Sequence, residues 1–211
     1  NCTLSMNQAT RYGGAYNDGG TTLALNSILW NNTDTSNDLY RAQIHGLQKP
    51  RVEYSCVTGW TAIEGGIGNF DQVPLFINSG GGDFHLQSTA GRWNSSTGKW
   101  VYDKQTSRCI DAGSPSMVLG LETRDSANLR IDMGCYGGTA EASRTPAGWS
   151  LLADFANDGA VEIDDFATLS ESWGIDHGWP IHPDLTRDGV VDLEDFLIFL
   201  DSWLGRTTWH L

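Results

Sequence analysis

A twelve-residue loop that occurs twice, thirty residues apart, constrains this chain more than any other feature. The first copy, Asp154 to Asp165, reads D-F-A-N-D-G-A-V-E-I-D-D and is followed by Phe166. The second, Asp184 to Asp195, reads D-L-T-R-D-G-V-V-D-L-E-D and is followed by Phe196. Both place acids at loop positions 1, 5, 9 and 12 around a glycine at position 6. Acids at such density repel one another unless a cation occupies the loop, and their spacing is that of a calcium loop.

Calcium takes six to eight oxygen ligands, so a short loop can wrap one ion only if the chain turns sharply halfway. Gly159 and Gly189 stand where that turn falls, since glycine adopts the required backbone without a steric penalty. In the first loop the expected ligands are Asp154, Asp158, the carbonyl of Ala160, Glu162 (directly or through water) and Asp165. In the second they are Asp184, Thr186, Asp188, the carbonyl of Val190, Asp192 and Asp195. Ala156 offers no side-chain oxygen where Thr186 offers a hydroxyl. Two calcium ions are therefore expected, the first held more weakly.

Charge divides the chain at about the same place. Residues 1–150 hold 13 acids and 11 Lys or Arg, whereas residues 151–211 hold 13 acids and 2 Arg. A near-neutral, glycine-rich body thus precedes an acidic tail. Nucleic acid is not expected as a partner, because no basic face exists to neutralise phosphates. No apolar run reaches the length of a membrane span. The chain starts at Asn1 within what reads as a repeat, which suggests a C-terminal piece of something longer. Cys2, Cys56, Cys109 and Cys135 show no metal-ligand spacing. Three disulfide pairings and buried free thiols all stay open.

In the body, N-C-T-L-S-M-N from Asn1 echoes N-S-I-L-W-N-N from Asn26, and Y-S-C-V from Tyr54 comes 28 residues later. Short β-prone runs at Thr22–Trp30 and Arg51–Val57 alternate with Gly and Asn turns. Such a period with short strands suggests coils of a parallel β-solenoid, in which stacked Asn amides serve neighbouring backbone groups. The phrases G-N-F-D-Q-V-P-L-F, D-F-H-L-Q-S-T-A-G-R-W, C-I-D-A-G and M-G-C-Y-G-G-T stand beside these in the body. Together they resemble the closing part of right-handed parallel β-helix proteins of the pectate-lyase-like type, notably large secreted proteins of planctomycetes. That resemblance covers residues 1–143 and implies a fold and a secreted or cell-surface location, not an activity.

No catalytic residues are assigned. Asp111 and Asp132 read as turn-forming acids, Arg92 with Trp93 as a packed surface pair, and His85 as an outward-facing strand residue between Phe84 and Leu86. Neither a lyase-like basic residue beside acids nor a facing carboxylate pair can be placed on one face.

Residues 144–149 read as a linker, residues 150–205 as a small all-α unit and residues 206–211 as a tail. Helix-like stretches come after each loop at Asp165–Trp173 and Asp195–Leu204. Phe166/Phe196, Leu169/Phe199 and Trp173/Trp203 lie thirty residues apart along their apolar stripes. Nothing helix-like precedes either loop; Gly178-Trp179-Pro180-Ile181-His182-Pro183 carries two prolines that oppose one. Two calcium loops, each with only its exiting helix (F-hands), resemble a type I dockerin. The resemblance implies a cohesin-like protein partner or a cell-surface component, met through positions 10 and 11: Ile163 and Asp164, Leu193 and Glu194. The expected role is calcium-dependent anchoring of a secreted β-helix protein. The alternative is a fragment of a polysaccharide-degrading lyase or glycoside hydrolase whose site lies upstream, with a polysaccharide as ligand.

Overall fold

The computed structural model describes residues 1–175 and 183–210. The body opens with three short strands, β1 (Thr3–Ser5), β2 (Ala15–Asn17) and β3 (Leu23–Leu25). The chain then passes over the same ground with β4 (Ile28–Trp30), a one-turn helix α1 (Leu39–Gln43), β5 (Ile44–Gly46) and β6 (Arg51–Glu53), before β7 (Cys56–Val57). Pairing is parallel throughout: Thr3 lies beside Ile28, Ile28 beside Cys56, Ala15 beside Ile44 and Leu23 beside Arg51. Each β-prone run is split in two by a corner residue in the left-handed region, Asn26 (φ 50°) and Tyr54 (φ 44°).

Stacked amides hold these rounds together. Asn32 Oδ1 accepts both the backbone N–H and the side-chain amide of Asn7, at 3.0 and 2.9 Å. The Asn32 amide donates to the Leu4 carbonyl and to Gln43 Oε1, at 2.9 and 2.8 Å. Buried polar side chains are thereby satisfied locally.

The expected right-handed parallel β-helix through residue 143 is overturned. Parallel pairing of strands ends at β7, with one further parallel bridge from Cys56 to Phe70. The chain then forms two antiparallel hairpins, β8 (Phe76–Asn78) with β9 (Asp83–Leu86) and β10 (Arg92–Asn94) with β11 (Lys99–Val101). Among the described residues no strand lies beyond β11. Among the described residues the sheets are one of three strands and four of two, which do not make a solenoid. The physical reason lies in the turns. Ser79-Gly80-Gly81-Gly82 and Ser95-Ser96-Thr97-Gly98 reverse the chain within a few residues, which joins antiparallel neighbours, whereas parallel strands need a long crossover.

A separate all-α dockerin fold is likewise not shown. The acidic segment contributes two helices, α2 (Ile163–Glu171) and α3 (Leu193–Ser202), each starting and ending two residues earlier than expected. The acid at loop position 12 is the third helical residue, not the first: Asp165 and Asp195 complete capping boxes with Glu162 and Asp192. Residues 151–153, before the first loop, are not helical. Residues 178–182 of the proline-bearing stretch before the second loop, and Leu211 of the tail, lie outside the described residues.

Three apolar clusters organise the described residues. One gathers Ile28, Tyr54, Cys56, Phe70, Cys109, Ile110 and Met133 under the β1–β4–β7 sheet. A smaller one joins Leu29, Ile44, Val52 and Val57. The third joins Phe155, Val161, Leu169, Leu185, Val191 and Phe199 from the two loops and their helices. Ile67 packs against both the first and the third. Within residues 144–149, Thr145 is buried and Trp149 packs on the first cluster. Trp209 donates to the Trp149 carbonyl at 2.7 Å.

Candidate functional site

The two loops share one hydrogen-bond framework, repeated at thirty residues. The carboxylate at position 1 receives the N–H groups of positions 5 and 6: Asp154 from Asp158 and Gly159 (3.1 and 2.9 Å), Asp184 from Asp188 and Gly189 (3.2 and 2.8 Å). Position 12 receives those of positions 2, 3 and 9. Asp165 takes Phe155, Ala156 and Glu162 at 2.7, 3.0 and 2.9 Å. Asp195 takes Leu185, Thr186 and Asp192 at 2.7, 2.9 and 2.9 Å. Position 5 receives the N–H of position 7, Asp158 from Ala160 and Asp188 from Val190. Gly159 and Gly189 hold φ of 98° and 96°, which explains the glycine at position 6.

The pairing is reciprocal as well. Gly174, after α2, donates to the Val191 carbonyl of the second loop at 2.8 Å; Leu204, after α3, donates to the Val161 carbonyl of the first at 3.0 Å. Each residue has its counterpart thirty positions away, so the halves are related by a pseudo-twofold. Leu169 and Phe199 are buried in the cluster the two halves share, with Phe166 and Phe196 rings 6.1 Å apart. The outer aromatics are not core: Phe166, Trp173 and Trp203 are partly exposed. Phe166, Leu169, Ser170, Trp173 and Phe196 line a shallow apolar cleft.

The remaining predicted ligands bond within or beside their loops. Thr186 Oγ1 donates to Asp184 at 3.2 Å. Glu162 pairs with Arg206 at 3.3 Å, and Asp192 accepts the Glu194 N–H at 2.8 Å. Among the described residues, no three His, Cys, Asp or Glu side chains are gathered into a metal-holding group. The donor set is nevertheless all oxygen, which suits a hard cation. Burial pushes the Asp154 carboxyl up to about 7, with Asp165 and Asp158 adding to the rise against the effect of Arg130. Burial pushes Asp165 up to about 6. A bound cation would relieve both. Ile163 and Leu193 stand 71% and 59% exposed beside the exposed acids Asp164 and Glu194.

Three arginines that no sequence pattern marks tie these loops to the body. Arg130, 1% exposed, donates to the carbonyls of Gly113, Ala112 and Asp154 at 2.7, 3.2 and 2.7 Å. Arg108 donates to the Asn157 carbonyl and lies over the Trp209 ring. Arg187 donates to the carbonyl of Pro115 at 3.0 Å. Asn157, at position 4 of the first loop, donates to the carbonyls of Gly68 and Ala112 at 2.7 and 2.8 Å. Arg187 occupies the equivalent position of the second loop, so both loops grip the body through the same place.

His85 departs from expectation. It is buried, not outward, stacked on Tyr136 at 3.7 Å between Asp83 (2.7 Å) and Glu141 (3.2 Å). Its carboxylate partners lie on β9 and in the turn at Glu141, and they draw the ring in.

Beside Arg130 lies a relay of buried acids. Asp132 accepts the Asp111 N–H at 2.8 Å, and Glu122 accepts the Asp132 N–H at 2.9 Å. Burial pushes Asp111 up to about 7. Burial, with the Glu122 charge, holds Asp132 well above the usual range, and burial raises Glu122. Groups raised above their unfolded pKa of about 4 favour the fold when protonated. That contribution is complete below about pH 4 and is lost as pH rises through the folded pKa, near 7 for Asp111. In chelator, the unfolding temperature should therefore rise as pH is lowered from about 8 to about 5, and Asp111→Asn should flatten part of the rise. A melting temperature that falls over that range contradicts this assignment.

Against known proteins, a family described as "Disaggregatase related" matches residues 52–113, under half of the chain. No curated protein matches it, and no solved structure does. Among the described residues no helix is long and apolar enough to cross a membrane.

Proposed function

We propose that residues 150–205 are a calcium-dependent anchoring segment that attaches a secreted or cell-surface protein to a cohesin-like domain or another surface component. The observation that carries this reading is the duplicated loop framework, in which carboxylates at positions 1, 5 and 12 hold the same backbone groups thirty residues apart. Asp154, Asp158, Asp165 and Glu162 would hold one ion with the Ala160 carbonyl. Asp184, Asp188, Asp192, Asp195 and Thr186 would hold the other with the Val190 carbonyl. Calcium supplies the charge that lets these acids sit together. The residues around them then present Ile163, Asp164, Leu193 and Glu194 to the partner, beside the cleft at Phe166 and Trp173. Charged residues flanking exposed apolar ones suit a partner surface better than a solvated face. The family match at residues 52–113 lies outside these loops and leaves this reading to rest on them alone.

Capture of the full chain by immobilised cohesin domains, with calcium and with chelator, tests the proposal. The Ile163→Ala/Leu193→Ala variant should keep its stability within about 0.5 kcal/mol, as exposed substitutions do, while losing at least tenfold in capture. Capture that survives both chelator and the double substitution would sink the docking role.

A further inference from the structure

Two cysteines lie side by side in the main core. Cys56, on β7, and Cys109 both have no exposed surface and belong to one apolar cluster. Cys109 stands near enough to act on the Cys56 thiol. The Cys56 thiol also donates to the Gln72 carbonyl at 3.0 Å. Their backbones are pinned on both sides. Cys56 donates to the Ser27 carbonyl at 2.9 Å and bridges to Phe70. The Cys109 carbonyl receives the Met133 N–H at 2.9 Å, and the Cys109 N–H reaches Ser107 Oγ at 3.1 Å. The other two cysteines, Cys2 and Cys135, are exposed.

We infer that Cys56 and Cys109 are a disulfide site, joined when the chain folds in an oxidising medium. Of the three pairings that four cysteines allow, this bridge selects the one that links Cys56 to Cys109. Two S–H bonds break and one S–S bond forms. The two electrons and two protons pass to a small disulfide such as oxidised glutathione, which is reduced to two thiols. The sulfurs, neighbours in one buried cluster, must close to about 2.05 Å, and the flexible Met133 in the same cluster can absorb the shift. The bridge would fasten the parallel sheet to the segment after Arg108, across a long stretch of sequence, where cross-linking restricts the unfolded chain most. Burial, with the neighbouring Cys109, raises the Cys56 thiol well above its ordinary pKa. Thiolate is therefore scarce in the folded core, and oxidation belongs to folding rather than to later signalling.

Trypsin places the four cysteines on separate peptides: 1–11, 52–92, 109–124 and 131–144. The full chain, refolded in a glutathione redox buffer, would be unfolded in the presence of an alkylating agent, digested without reductant and weighed. The expected cross-linked product carrying Cys56 is peptides 52–92 and 109–124 joined, less two hydrogens. Finding Cys56 or Cys109 alkylated, or bridged to Cys2 or Cys135, overturns the assignment. As a second readout, reductant should lower the unfolding midpoint of the Cys2→Ser/Cys135→Ser chain. A midpoint there that reductant does not move also overturns it.

Discussion

Replacing Arg130 with Met is expected to destabilise the protein by about 3–5 kcal/mol, the range for removing one partner from a buried charged network. The guanidinium is enclosed, and among the described residues its hydrogen bonds go to backbone carbonyls. The Ala112 carbonyl would keep its bond from Asn157, but those of Gly113 and Asp154 would lose their bonds from the guanidinium. Unsatisfied buried acceptors cost about 1–3 kcal/mol each. The loss reaches further, because Arg130 also holds down the pKa of both Asp111 and Asp154. Without it, both acids would rise further and the body would lose its tie to the first loop. Lys should rescue little, since one ammonium cannot reproduce the planar fork that spans separate carbonyls. Denaturant unfolding would measure the change; a loss under about 1 kcal/mol would show that the guanidinium is not the keystone of this junction.

Asp195→Ala should have an effect of similar size, about 3–5 kcal/mol, by removing a charged acceptor shared by three backbone N–H groups. Asp195 has no exposed surface, so water cannot replace it easily. The change also breaks the capping box that starts α3. Asn should be little better than Ala, because one of its two polar atoms would point a donor at a donor. In the proposed calcium account the same substitution removes one ion from the stoichiometry. Thermal melts with and without calcium separate the two effects. The framework contribution is lost in both conditions, whereas the calcium contribution disappears only from the difference between them. A variant as stable as the parent in chelator would contradict the framework role.

Much of this arrangement is legible in the residues, and the parts that are not fail for physical reasons. The doubled loop announces itself because glycine and acids recur at fixed positions, and Gly159 and Gly189 do occupy the turn. The helices begin earlier than their apolar stripes suggest, because Asp165 and Asp195 bond back to Glu162 and Asp192 instead of opening the helix. In the body, the echo between Asn1–Asn7 and Asn26–Asn32 does report parallel pairing of β1 with β4. It misleads beyond β7, since Gly-rich and Asn-rich turns serve hairpins as readily as coil corners. Arg108, Arg130 and Arg187 bond to carbonyls far away in sequence, so no local spacing could mark them. His85 fails for a related reason: alternation along a strand reports a face, but the carboxylates of Asp83 and Glu141 make the inner face habitable for a polar ring.

The most direct test of the calcium reading is a calorimetric titration of the full, metal-stripped chain with calcium. Two ions should bind, the tighter one lost in Asp184→Ala and the weaker one lost in Asp154→Ala, with the unfolding temperature rising as each site fills. No heat of binding and no rise in melting temperature at calcium concentrations up to about 10⁻³ M, the weak end of known calcium loops, would contradict it.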